Sequence, residues 1–540
     1  MFECGFDKIE TENGIIYKKT DSTSEEFVSV QRKYEDAGYV KKALNSMCDA
    51  EFVTYVNDIE TINISYKNKC NTLRVVAEKG ENLPKCCYDN KNVDVLVTQL
   101  KTTYFSYDCG MGYVIRLSDG RFVVIDGGMA EYDEPEQFFK TLNSQNVRDT
   151  LPVIAVWFIT HPHCDHFNMF IKAVSEYRDK FILENVVYNF SDKKYSCDES
   201  DLTDFNKAVA QLAEGKVKTA RTGQKYVFGN DYFEIMLCAD VLYPTYLSVN
   251  ETSLVIKGML NGKSILWLAD AQKAESSVIV NEYDEKYLKS DIMQVAHHGY
   301  WGGSDELHRM IDPRYLLWPS PDYWYIEKIK LDINEYLRTS SKIKETFIAD
   351  REETVLNMSQ EDFSFKGQEK YNNLKCGEYI VFEDFKLKSI YSTGFRCIWG
   401  GGTGFEAVKA EFCDDGVKLT SLNEEAYTFL EIASPWQTEN SQSLCIELFV
   451  EIKGADKFGL MYNNPSPTVY CEEKIISLPT TSGYFNICLK ADADLKKSEL
   501  HINSDLAYSE EYIPKELRGV YLVLKNAELI IKNIKITKGV

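Results

Sequence analysis

Long apolar runs are missing from this chain: the longest, such as Leu151–Ile159, fall well short of the ~18–20 residues that a helical bilayer span needs. No CxxC pair occurs among its 15 cysteines, which are odd in number and scattered. The adjacent Cys86 and Cys87 are poorly arranged to staple two separate loops. The opening MFECGFDKIE has neither a basic stretch nor an apolar core of the signal-peptide kind. The expectation is therefore a cytoplasmic chain with reduced thiols rather than a disulfide framework. Positive charge is also scarce, with 61 Lys and Arg against 83 Asp and Glu and a formal net charge of −22. No Lys/Arg run forms the basic stripe that tracks a phosphate backbone, so nucleic acid is not the expected partner. Low-complexity tracts are absent, and a 44% hydrophobic content is that of folded globular protein.

At 540 residues the chain exceeds one ordinary core, which predicts roughly two to four domains. Three regions differ in pattern. Over 1–95, Thr23 and Glu26 form a capping-box pair ahead of Phe27, Val30, Tyr34 and Ala37 at helical spacing, with Gly38 placed to stop the helix. The alternating stretches 51–56, 61–66 and 72–77 follow as a strand meander. This small α+β region carries no catalytic cluster and reads as an accessory or dimerisation element. Over 96–358, buried strands at 112–117, 121–126, 153–159, 253–260, 264–270 and 291–297 alternate with helical stretches such as 135–142 and 204–214. That pattern predicts a layered α/β domain. Over 359–540 helix signals fade, and strand-like runs at 445–452, 484–489, 520–524 and 529–536 predict a β-sandwich or jelly roll. Carbohydrate is a ligand such appended sandwiches often take; a rigid add-on is the competing reading.

The chemistry concentrates in ITHPHCDHFN, with His161, His163, Asp165 and His166 directly after a buried strand. Only seven histidines occur in the chain, so HxHxDH is a specific arrangement rather than a scatter. His161 and His163 can converge on one ion while Asp165 and His166 turn toward a second. Downstream, Asp270 ends SILWLAD, and His297–His298 end DIMQVAHH. Five of the seven histidines thus fall in two clusters at predicted strand ends, and a carboxylate between them can bridge two cations. The aromatics Tyr300, Trp301, Trp318, Tyr323, Trp324 and Tyr325 follow, either as a pocket wall beside GYWGGS or as loop packing.

These motifs, with RFVVIDGG, NETSLVIK and DIMQVAHHGYWGG, resemble the metallo-β-lactamase superfamily over roughly residues 98–358. In style they are most similar to the nuclease-like domain of competence DNA-uptake proteins and to phosphorylcholine esterases. The resemblance implies an αββα sandwich with a dinuclear site at one edge of its sheets, and makes Asp126 a carboxylate that orients a ligand histidine. It implies His161, His163, Asp165, His166, Asp270 and His298 as metal ligands. Of the adjacent pair, one histidine ligates and the other, taken as His297, contacts substrate or protonates a leaving group; Asp165 and His297 are the expected catalytic residues. The superfamily usually supplies a third histidine to the first ion, yet none lies between His166 and His297. The segment MLCADVLYP offers Cys238 or Asp240 instead.

The expected cofactor is one or two divalent ions, zinc first and manganese or iron as alternatives. The expected activity is hydrolysis by a metal-bound hydroxide, on a small-molecule or polymer-linked ester and on a phosphoester or phosphodiester rather than a β-lactam. Lactone, thioester or amide hydrolysis is the alternative within enzymes. A metal-containing binding protein with little catalysis is the alternative outside them.

Overall fold

The structure, a computed structural model, describes residues 5–83, 88, 91–101, 110–131, 133–196, 201–320, 328–329, 331–349 and 353–363. Farther on it describes 378–383, 386–387, 395–398, 408–413, 416–421, 428–433, 444–462, 476–477, 482–492, 495–511 and 519–538. The chain divides into two compact units. The first comprises Met1–Thr102, Gly110–Ser320 and Lys328–Ser364; the second comprises Thr103–Cys109, Pro321–Glu327 and Phe365–Val540. The architecture is mixed α/β, with several sheets and few helices.

The first unit begins with β1 (Asp7–Thr11), β2 (Gly14–Lys19), α1 (Ser24–Asp36), β3 (Val40–Met47), β4 (Ala50–Val56), β5 (Glu60–Lys67) and β6 (Thr72–Lys79). The strands form one antiparallel sheet in the order β1-β2-β6-β5-β4-β3. The capping box forms as the sequence predicts, with Thr23 accepting from the Glu26 N–H and Glu26 reaching back to the Thr23 N–H. Phe27, Val30 and Tyr34 then bury one face of α1 on Tyr55, Ile62, Ile64 and Val75. The predicted meander omits β1, β2 and β3. The last carries Lys41 and Lys42 and exposes most of its residues, an edge strand whose polarity hides it from a pattern search.

Two seven-stranded sheets follow. The first contains β7 (Leu96–Gln99), β8 (Gly112–Arg116), β9 (Phe122–Asp126), β10 (Val153–Ile159), β11 (Ile182–Tyr188) and β12 (Val217–Thr219). Its helices are α2 (Glu134–Gln145), α3 (Cys164–Glu176) and α4 (Thr203–Ala210). The second contains β13 (Lys225–Phe228), β14 (Asp231–Leu237), β15 (Val255–Leu260), β16 (Lys263–Trp267), β17 (Ile292–Gln294), β18 (Tyr315–Trp318) and β19 (Glu345–Ile348). Helices α5 (Lys273–Glu282), α6 (Glu285–Leu288) and α7 (Asp305–Ile311) lie between its later strands in the chain. The last strand, β20 (Thr354–Asn357), returns to pair with β7 in the first sheet.

Both sheets are built to the same plan. Each runs antiparallel through its first strands and turns parallel at β9–β10 or β16–β17. Parallel neighbours need crossovers, and the helices supply them. In the first sheet Phe122, Val124 and Trp157 bury against Phe138, Phe170 and Val174 of the helices. On the other side Phe158 meets Tyr226 and Phe233, and Tyr113 meets Trp267, so the sheets pack face to face. Helix α4 ends at Ala210, four residues short of the predicted 204–214, because Gln211 caps it before a Gly-containing turn.

In the second unit every described element is a strand. The runs read from sequence as separate strands at 520–524 and 529–536 are one strand, Gly519–Lys538. Its polar middle stays in the ladder because Ala527 and Glu528 pair with Ala455 and Gly454 of the equally long Leu444–Tyr462. Leu448, Val450 and Ile452 alternate inward with Leu529 and Ile531.

Candidate metal centre

The residues of interest sit where parallel strands end. Asp126 closes β9, His161 follows β10, Asp270 follows β16, and His297 follows β17. Open α/β sheets place ligands at the carboxyl ends of their strands, where neighbouring connections part. The sequence places Asp270 at the close of its strand; β16 ends earlier, at Trp267, and the turn Leu268–Asp270 carries the carboxylate across. The Gln294 side-chain oxygen fixes that turn by accepting from the Leu268 and Ala269 N–H groups at 2.8 and 2.6 Å.

Local backbone form is unusual at several of these residues. Asp126, Ala269, His297 and His298 have φ of 55°, 49°, 48° and 53°. Non-glycine residues in this region are strained by roughly 1–2 kcal/mol each. Two glycines let the loops close. A Cβ on Gly127 would meet the Met169 Cβ at 2.6 Å, so its absence lets α3 settle on the end of β9. A Cβ on Gly299 would strike the Trp318 ring, whose indole N–H donates to the His298 carbonyl at 3.1 Å.

His163 is the N-cap of α3, and Asp165 and His166 lie in its first turn. His161, His166, Asp270 and His298 are buried, whereas His163, Asp165 and His297 are half-buried. His161 Nε2 is 3.1 Å from His163 Nδ1 and 3.7 Å from Asp270 Oδ2. On the other side of Asp270, Oδ1 is 3.4 Å from His166 Nε2 and 3.7 Å from His298 Nε2. His298 Nε2 and His166 Nε2 also approach Asp165 Oδ2, at 3.2 and 3.6 Å. Two groups could therefore hold a metal ion: His161, His163 and Asp270, and Asp165, His166, Asp270 and His298. Asp270 belongs to both. His297 belongs to neither; its Nε2 lies 3.8 Å from Asp270 Oδ2 and 3.2 Å from Asn250 Nδ2.

The surroundings orient the rings. Asp126 Oδ2 accepts from His166 Nδ1 and from the Thr160 hydroxyl, both at 2.8 Å, while Oδ1 accepts from the Thr160 backbone N–H at 2.8 Å. His298 Nδ1 donates to the Pro319 carbonyl at 2.6 Å. Both bonds leave Nε2 as the nitrogen facing the carboxylates. Burial pushes the Asp126 carboxyl up, against the pull of His166 and Thr160. Burial pulls His166 down, but Asp270, Asp165 and Asp126 outweigh it and raise the imidazole well above its ordinary value. Burial likewise pushes Asp165 and Asp270 up, yet the histidines hold both well below the usual carboxylate range. His161, desolvated and beside His166, is lowered. The centre concentrates anionic oxygens that ask for positive charge.

The donor set fits a divalent cation. His166 Nε2 and Asp270 Oδ1 are shut off from solvent with no hydrogen-bond partner. Such atoms cost roughly 1–3 kcal/mol each unless something satisfies them. Mixed imidazole and carboxylate donors are suited to zinc, manganese or iron alike.

Cys238 and Asp240 lie elsewhere. Asp240 is clasped by Arg221 at 2.6 Å and Arg74 at 2.9 Å, joining the N-terminal sheet to the central region. Cys238 is buried, its thiol pushed up to about 12 by desolvation. The residues that sequence reasoning missed are Asn250 and Ser253. The Ser253 hydroxyl donates to the Asn250 carbonyl, accepts from the Asp270 N–H, and lies 3.4 Å from His161 Nδ1. Their signal in the sequence is the NETSLVIK motif, which holds both residues. A cleft of about 850 Å³ opens beside His163, lined by Met129, Pro162, Phe167, Ile171 and Val249 among others. Tyr300 and Trp301 are exposed beyond His298, whereas Trp318 is core; Tyr323, Trp324 and Tyr325 lie outside the described residues. A third group, Cys445, Glu447 and Cys488, lies in the second unit.

No protein-family model matches the chain, and no curated protein matches it. Among solved structures it is similar to CmlA, a diiron beta-hydroxylase from Streptomyces venezuelae, at 11% identity and a TM-score of 0.28, over 50% of this chain and 55% of that one. It is similar to a sialidase at 10% identity and a TM-score of 0.22, over 29% of this chain and 18% of that one. A family 29 carbohydrate binding module from Piromyces equi gives 17% identity and a TM-score of 0.17, over 30% of this chain and 90% of the module. This chain thus spans about half the length of the hydroxylase and under a fifth of the sialidase. Overlaps this loose carry no argument about function. No helix among the described residues is long and apolar enough to cross a membrane.

Proposed function

We propose that this chain is a metal-dependent hydrolase of the metallo-β-lactamase type, acting on phosphoesters or phosphodiesters. The observation that carries the reading is Asp270, buried between two donor groups with one oxygen toward each. In this reading His161 and His163 serve one ion, and Asp165, His166 and His298 serve the other. Divalent ions supply water acidified toward neutral pH and a Lewis acid for developing charge. The chain supplies the rest. Asp126 fixes the His166 tautomer, and the Pro319 carbonyl fixes that of His298. His297, half-buried and outside both groups, has its Nε2 accepting from Asn250 Nδ2 at 3.2 Å and is the residue left to contact the bound ester. The cleft beside His163 admits the substrate, and its mixed lining sets Met129, Phe167 and Ile171 beside the cationic Lys172 and Lys207. The preference for phosphoesters rests on the likeness of the HHG segment to phosphodiester-cleaving relatives.

The test is elemental analysis of the full chain purified without added metal, followed by turnover of bis(4-nitrophenyl) phosphate, a lactone and a thioester with Zn, Mn and Fe. Bound ions with phosphodiester turnover are expected. Turnover confined to the lactone or thioester overturns the substrate class, and bound ions with no turnover overturn the enzyme reading.

A further inference from the structure

The two donor groups are uneven. Beyond the shared Asp270, one has Asp165, His166 and His298, the other only His161 and His163. We propose that the side-chain amide oxygen of Asn250 is the remaining protein ligand of the ion at His161 and His163; this rests on the two-ion reading above. Asn250 begins the short turn Asn250–Thr252, just before β15. That turn is tied to both neighbours of the ion. The Leu254 N–H donates to the Thr160 carbonyl at 3.0 Å, one residue before His161. Ser253 Oγ donates to the Asn250 carbonyl at 2.8 Å while accepting from the Asp270 N–H at 3.1 Å. The Thr252 hydroxyl bonds the Val249 carbonyl at 2.6 Å, and the Ser248 N–H and hydroxyl bond Glu251, so the turn is fixed from both ends.

The Asn250 side chain meets the centre at two of its histidines. Nδ2 lies 3.2 Å from His297 Nε2, and the amide interacts with His163. Its Oδ1 is shut off from solvent and has no hydrogen-bond partner. A buried amide oxygen left in that state costs roughly 1–3 kcal/mol. A cation beside His161 and His163 removes the cost, because an amide oxygen is a competent donor to a hard divalent ion. Asp240 is not free to take that place, being held by two arginines, and Cys238 stands in no donor group among the described residues. A neutral oxygen in place of a third imidazole changes the preference of the site. It adds no charge and shifts the donor set from nitrogen toward oxygen, which favours manganese or iron over zinc at that position.

The experiment uses the full chain, stripped and titrated with Mn²⁺ and, separately, Co²⁺. Bound ions are counted by elemental analysis, and the Co²⁺ ligand-field spectrum is recorded as a readout independent of activity. Asn250→Ala should weaken one of two ions by at least about tenfold and alter the Co²⁺ spectrum. Asn250→Asp, which keeps shape and oxygen donor, should retain both ions. Two ions in Asn250→Ala with wild-type affinities and spectrum overturn the ligand assignment and leave the two-ion reading standing. Equal loss in the Ala and Asp variants also overturns the assignment, since the oxygen donor was kept. A wild-type chain that binds no ion overturns both.

Discussion

In the Asp165, His166 and His298 group, the far nitrogen of each imidazole is tied down, His166 to Asp126 at 2.8 Å and His298 to the Pro319 carbonyl at 2.6 Å. In the His161 and His163 group the ties are longer. His161 Nδ1 lies 3.2 Å from the Thr160 hydroxyl and 3.4 Å from that of Ser253, and His163 faces the open cleft. One half of the centre is prearranged, and the other can adjust. That difference follows from position. His166 and His298 are buried inside the sandwich, where an imidazole must find partners, whereas His163 borders the open cleft. It predicts that the two ions differ in how tightly they are held, and that the looser one responds to ligands.

The largest effect should come from the residue the two halves share. Asp270→Asn removes charge from both groups, so ion content should fall below one per chain and turnover by about two to three orders of magnitude. Elemental analysis and phosphodiester turnover check this, and retained ions with near-wild-type rates would remove the bridge. Next, single-histidine variants should separate the halves. His166→Ala should strip the tightly held ion, whereas His163→Ala should strip only the ion that a weak chelator also removes first. A chelator titration that releases both ions in one step would erase the distinction. A smaller loss is expected from Asp126→Asn, which leaves every proposed ligand in place but loosens the ring of His166. Affinity for the tighter ion should fall about 10–100-fold, the range seen when an orienting partner is lost. Isothermal titration of the stripped protein measures it.

The smallest effect lies outside both groups. Burial raises Glu275, at the start of α5, from 4.5 to about 8, with Glu251 and Asp270 contributing to the rise. Its folded-state value lies above its unfolded one, so the fold favours the neutral acid. The associated stability is present at low pH and is lost as pH climbs from about 4.5 to about 8. Glu275→Gln keeps an oxygen for the Gln272 N–H, which Glu275 accepts at 3.1 Å, and should flatten the slope of stability against pH over that window. Urea melts at pH 5 and pH 8 test it. An unchanged slope would mean that the carboxyl is not held neutral.

The portion of this centre visible in sequence is the portion set by short spacing. HxHxDH follows a strand of seven buried residues, and a strand end followed by a helix first turn brings His161, His163, Asp165 and His166 within reach of one another. Asp270 and the histidine pair were marked by their place after apolar runs, although the strands stop three residues earlier than the runs suggest. Asn250 and Ser253 were not legible as site residues, because what places them is a turn fixed by hydrogen bonds to Thr160 and Asp270, distant in sequence. The edge strands β1 and β3 were missed because their solvent-facing residues dilute the alternation. In the second unit, polar residues in mid-strand looked like a turn until pairing with Leu444–Tyr462 is known. Local rules capture periodicity and spacing; partners chosen across the fold escape them.

The pairing of β20 with β7 has a consequence for how the central region is made. Leu96 lies beside Asn357 in that ladder, so the two ends of the region leave the sandwich side by side. A chain emerging from the ribosome cannot fill this edge of its first sheet until the whole of the second sheet has been synthesised. Contacts so remote in sequence slow folding and make completion of both sheets one late event. The same adjacency makes the region a closed loop in space. Joining the strand ends near 96 and 357 by a short linker, and opening the chain at the exposed Val147, should give a circular permutant with the same pair of sheets.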